Sequence, residues 1–84
     1  MRLRAKVRTI TGTTRHHMNG AEIAPPMFVE IEPDDDAFYL LYYGETGEAL
    51  ADTWHETLEK AKGQALREFE IEESDWEDVS LRLV

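Results

Sequence analysis

The stretch from Glu48 to Ile71 constrains this chain more than any other, because the hydrophobic period changes inside it. Residues 48–54 read as a strand, and from there Leu58, Ala61, Ala65, Leu66 and Phe69 recur at helical spacing. Thr57 stands between the two patterns, where its hydroxyl can accept from the orphan amides of a first helical turn. Thr53, with Glu56 three residues on, is the alternative start through a capping box. Glu59, Lys60, Lys62, Gln64, Arg67 and Glu68 fall off the apolar stripe. Gly63 weakens the middle of the helix by about 1 kcal/mol relative to Ala, which points to close packing at that position.

The rest of the chain reads as strand. In residues 2–9 the basic groups take even positions, while Leu3, Ala5, Val7 and Thr9 take odd ones, the period of a strand with a cationic outer face. Met27 to Glu32 alternates and forms a second strand. Pro33-Asp34-Asp35-Asp36 then reads as a turn, Pro setting φ and Asp capping its own backbone. Ala37 to Tyr43 does not alternate. Phe38, Leu40 and Tyr42 point one way and Tyr39, Leu41 and Tyr43 the other, as in a central strand covered on both sides. Gly44-Glu45-Thr46-Gly47 is a tight hairpin connection, and Val79, Leu81 and Leu83 alternate as a short last strand. Residues 12–26 are the least regular part, a surface loop or a flexible β-arm turning at Asn19-Gly20.

The expected fold is therefore α+β, in the order β-β-β-β-α-β: an antiparallel sheet of about five strands with one helix on one face. At 84 residues the chain is a single small domain spanning 1–84. It has no cysteine, so neither a disulfide nor a thiolate ligand supports it. The first residues lack the apolar run of a signal peptide, and no stretch approaches the roughly 18–20 apolar residues of a membrane span. A cytoplasmic protein without a membrane partner is the expectation.

The net charge of −9 is unevenly spread. Arg2, Arg4, Lys6, Arg8 and Arg15 place five of the nine basic residues in the first fifteen positions, ahead of all eighteen acids. The acidic remainder repels phosphate backbones, and no aromatic residue interleaves with the basic stripe to stack on bases, so nucleic acid is disfavoured. Pairing of the stripe with Glu30 and Glu32 across a strand ladder is the simpler use of it.

Few residues offer chemistry. The adjacent His16 and His17 point to opposite sides of any extended chain, and a polar site of Asp52 and His55 with one of that pair matches no metal-ligand spacing. The acids Asp34, Asp35 and Asp36 lack the alternation, the glycine and the distant Glu of a calcium loop and read as a solvated turn. No phosphate-binding loop, nucleophile elbow or dinucleotide fingerprint is present. Neither a catalytic residue nor a cofactor or metal site is expected, and the chain does not read as an enzyme. Trp54 and Trp76 flank the helix and read as anchors of its ends on the sheet.

The segment Asp52-Thr53-Trp54-His55, with Leu58-Glu59, Ala61-Lys62, Gln64-Ala65, Glu68-Phe69, Ile71 and Trp76, resembles a C-terminal pattern of small uncharacterised bacterial proteins to which no activity is assigned. The resemblance covers residues 48–76. That pattern tends to place Gly after the Phe as a helix C-cap, whereas this chain has Glu70. The order of sheet, Thr-x-Glu cap and helix is also similar to antitoxin domains of the HicB type. The Pro-Gly-Cys segment of those domains and their DNA-binding extension are missing here.

A single helix covers one face of a sheet, so a strand apolar on both faces leaves side chains over. Phe38, Tyr39, Leu40, Leu41, Tyr42 and Tyr43 are thus the candidate interaction face, with Arg2, Arg4, Lys6, Arg8 and Asp34, Asp35 and Asp36 as electrostatic contacts. The expected function is a protein–protein interaction module that self-associates through the uncovered face. The alternative is an acidic inhibitor, antitoxin or immunity-type protein that neutralises a basic enzyme such as a nuclease.

Overall fold

Antiparallel pairing organises the molecule, which a computed structural model describes over residues 1–8, 17–18, 21–22 and 26–79. The strands are β1 (Leu3–Lys6), β2 (His17–Met18), β3 (Ala21–Glu22), β4 (Phe28–Asp34), β5 (Ala37–Tyr43), β6 (Ala49–His55) and β7 (Glu77–Asp78). One helix, α1 (Leu58–Phe69), follows β6, and a single 3-10 turn (Glu73–Asp75) precedes β7. The main sheet has five strands in the order β6-β5-β4-β1-β7, as expected for an α+β domain of this pattern. The strands β2 and β3 form a separate ladder, His17 opposite Glu22 and Met18 opposite Ala21. The expected turn at Asn19-Gly20 and the remainder of residues 12–26, apart from the paired residues and Pro26, lie outside the described residues. So do Leu81 and Leu83.

Local chemistry explains most boundaries. The strand β4 runs through Pro33 to Asp34, two residues into the turn read from sequence, with Pro33 opposite Phe38 and Asp34 opposite Ala37. Pairing of β1 with β4 stops at Leu3↔Ile31. Pro33 therefore lies where β4 has a neighbour on one side only, the setting in which a strand tolerates its missing N–H. The turn narrows to Asp35 and Asp36, and Asp35 adopts φ 53°, a left-handed conformation that Asp accepts better than most residues. Between β5 and β6 the Gly47 amide donates to the Gly44 carbonyl at 3.0 Å, and Gly47 has φ 83°. The last strand is formed by Glu77 and Asp78, paired with Arg4 and Leu3.

Thr57 is the helix N-cap, its hydroxyl accepting from the Lys60 amide at 3.1 Å. Ala61, Ala65 and Phe69 are buried as the stripe predicts, packed on Ala5, Val29, Ile31, Leu40 and Tyr42 of the sheet. The Phe69 and Tyr42 rings meet edge to face, 5.9 Å between centroids. Two stripe assignments are corrected. Leu66 is 45% exposed, whereas Glu68, placed off the stripe from sequence, is 8% exposed. Glu68 is drawn in because the buried Tyr42 hydroxyl needs an acceptor: it donates to Glu68 Oε1 at 2.6 Å. A methyl group on Gly63 would meet only the Arg67 guanidinium at 3.7 Å, so close packing does not require glycine there.

Candidate interaction face

The helix selects one side of the sheet. Leu40 and Tyr42 are buried beneath it, and Phe38 packs against the same core. Of the six apolar residues expected to form an interaction face, these three belong to the interior. Tyr39, Leu41 and Tyr43 are left on the opposite side, each of them half-buried.

The ladder registers place the neighbours on this open side in three rows. The first holds Trp54, Tyr39 and Glu32, with Arg2 beyond; the second holds Asp52, Leu41, Glu30, Arg4 and Glu77; the third holds Ala49, Tyr43, Phe28 and Lys6. Trp54 is 55% exposed. This corrects its reading as an anchor of the helix end, since strand parity carries its indole to the side away from α1. Trp76 does pack against the core, and its indole nitrogen is the buried side-chain polar atom left without a hydrogen-bond partner among the described residues.

Charged side chains explain why the open side is only half-exposed. Glu30 is 3% exposed on the face opposite α1. Both Nε and Nη2 of Arg4 donate to its Oε2, at 2.7 and 2.5 Å. Arg2 approaches Glu30 Oε1 at 3.7 Å and forms a close ion pair with Glu32. The Arg4 guanidinium also lies 4.7 Å over the Phe28 ring, which stacks on Tyr43 at 5.0 Å between centroids. Arginine stems and flat guanidinium groups thus roof part of the aromatic surface while keeping their charge at the water boundary. Burial, reinforced by Glu30 and Glu32, raises the Tyr43 phenol above its ordinary pKa, so it remains a neutral hydrogen-bonding group.

The other electrostatic candidates are more dispersed. Lys6 is exposed and, like Asp52, takes part in no ion pair among the described residues. Arg8 approaches Asp75 at 3.7 Å. Asp34, Asp35 and Asp36 are all exposed at the Trp54–Tyr39 end of the face. The basic stripe and the aromatic residues therefore share one surface after all, because Phe28 and Tyr43 reach it from other strands. The cross-strand pairing with Glu30 and Glu32 expected from sequence is present, and it occupies Arg2 and Arg4.

Asp52 and His55 do not form a site together. Asp52 lies on the open face opposite Leu41, while His55 lies opposite Phe38 on the helix side. There its Nε2 is 2.7 Å from Thr53 Oγ1, and it borders a groove shared with Lys60, Gln64 and Arg67. Burial, and then the nearby Arg67 charge, lower the His55 pKa below 6.5. Glu68 is committed to its partners, Gln64 donating to Oε1 at 2.9 Å alongside Tyr42. Burial, followed by that bond to Glu68, pushes the Tyr42 phenol far above its usual range. Among the described residues no group of three or more histidine or carboxylate side chains is arranged to hold a metal ion.

The molecule is thus a small α+β sheet-and-helix domain whose most distinctive surface is a sheet face with apolar residues at its centre on β5, a basic strand β1 to one side and acids at both edges, Asp52 on β6 and Glu77 on β7. Comparison with known proteins places it in no described group: no family model, no curated protein and no solved structure matches. Among the described residues no helix is long and apolar enough to cross a membrane.

Proposed function

We propose that this chain is a cytoplasmic protein–protein interaction module that associates with a second copy of itself through the open face of its sheet. The exposure of Trp54 carries this reading. A tryptophan that is 55% exposed beside half-buried Tyr39, Leu41 and Tyr43 is a large apolar surface aimed at solvent. Patches that combine aromatic anchors with a polar rim recur at protein interfaces. The paired Arg2 and Arg4 fit the same role, since a neutralised charge can be covered at lower cost than a lone one.

A Leu41→Lys variant tests the face directly. It places a charge at the centre of the proposed contact, on a side chain that does not belong to the core under the helix. Loss of self-association in size-exclusion chromatography with an unchanged thermal midpoint supports the reading; association equal to the parent contradicts it.

A second reading rests on the exposed acids Asp34, Asp35 and Asp36 beside Trp54 and Tyr39. An acidic rim next to an aromatic anchor suits a basic partner, as in an inhibitor or immunity-type protein that steers an enzyme by charge. Retention of a basic protein on the immobilised chain, with release by about 0.5 M salt, would support that reading.

A further inference from the structure

The charges of the open face are sorted by strand, and that sorting selects a mode of pairing. Glu77 lies on the outermost strand β7, Arg2, Arg4 and Lys6 on β1, Glu30 and Glu32 on β4, the apolar Tyr39, Leu41 and Tyr43 on β5, and Asp52 and Trp54 on β6. Two sheets packed face to face keep their strands within about 30° of alignment, at a separation of about 10 Å. A twofold axis relating them lies in the plane between them and runs either across the strands or along them. An axis across the strands sets β6 on β6 and β1 on β1. Asp52 then meets its own copy and Arg4 meets its own copy, which like-charge repulsion opposes.

An axis along the strands, between β4 and β5, reverses the column order. Each β6 then lies over the other copy's β1, so that Asp52 faces Arg4 with Lys6 beside it, and the Trp54 ring faces a guanidinium. Each β5 lies over the other copy's β4, setting Tyr43 on Phe28 and Leu41 on the Glu30 carboxylate that Arg4 already neutralises. The same face is self-complementary in this orientation only.

We propose that the chain forms a face-to-face homodimer about a twofold axis parallel to its strands, with Asp52 of each copy paired to Arg4 and Lys6 on the β1 strand of the other. This rests on the reading of the open face as a self-association surface and specifies its geometry. The overlap, four strands wide because β7 projects past the other copy's β6, and three side-chain rows long, would bury on the order of 800 Å² in total, the size of a weak, transient interface. A weak dimer in rapid exchange is the corresponding state.

Charge exchange at Asp52 and Lys6 tests the axis, since both are exposed and neither has an ion-pair partner among the described residues. Asp52→Arg and Lys6→Glu are each compared with the parent by sedimentation equilibrium, with thermal melting to verify folding. Each variant alone should dimerise about tenfold or more weakly, because two like-charge contacts replace two attractive ones. In an equimolar mixture one contact is that of the parent and the other sets the Asp52→Arg side chain beside the Lys6→Glu carboxylate as well as Arg4, so the mixed dimer should be at least about threefold tighter than either variant alone. Variants that weaken the dimer without recovery in the mixture, or that leave it unchanged, overturn the axis while self-association stands. A parent chain that stays monomeric overturns the self-association reading itself.

Discussion

Glu70 ends the helix in a conformation suited to another residue. Its φ of 56° and ψ of 32° are left-handed, and its amide donates to the Leu66 carbonyl at 2.9 Å. This is the geometry for which glycine is preferred, so the helix stops where a glycine would have stopped it. Glu70→Gly should raise stability by about 1 kcal/mol, measured by urea denaturation, because the side chain is exposed and only its backbone strain is removed. His55 provides a second single-residue outcome. Its folded pKa is lowered, by burial first, so the folded state disfavours the imidazolium. The unfolded chain then binds the proton more readily. The stabilising contribution is complete above about pH 6.5 and is lost as the pH falls through the folded value. Between about pH 7.5 and about pH 5.5 the parent should lose more stability than a His55→Asn variant, as read by denaturation at each pH.

Elements whose identity depends on neighbours in sequence are legible without the structure. Thr57 caps the helix, Ala37–Tyr43 is a strand from end to end, and α1 begins at Leu58. Assignments that depend on partners distant in sequence are not. Glu68 reads as solvent-facing until Tyr42, twenty-six residues away, presents a hydroxyl to it. Trp54 reads as an anchor until the register with Tyr39 decides its side. The candidate face is half legible for the same reason. The two sides of β5 are evident from its sequence, but which side the helix takes is decided by the path from β6 into α1. Gly63 is a helical position with room for a side chain. With only the Arg67 guanidinium near the place a methyl group would occupy, at 3.7 Å, Gly63→Ala should stabilise the helix by about 1 kcal/mol in thermal or urea unfolding. A loss of stability there would show that backbone packing, not entropy, governs the position.

For the molecule as a whole, the governing fact is that α1 packs on one of the two sides of the main sheet. The helix supplies a core on one side, built from Val29, Ile31, Leu40 and Tyr42 against Ala61, Ala65 and Phe69. On the other side Arg4 over Phe28, and Phe28 on Tyr43, give partial cover without closing it. That arrangement leaves the surface wet enough for a folded monomer and apolar enough to reward contact with a second sheet. The most direct test is sedimentation equilibrium of the parent chain from micromolar to millimolar concentration. A reversible monomer–dimer equilibrium that persists in high salt is expected, because apolar burial carries it. A single monomeric species across the whole range would contradict it.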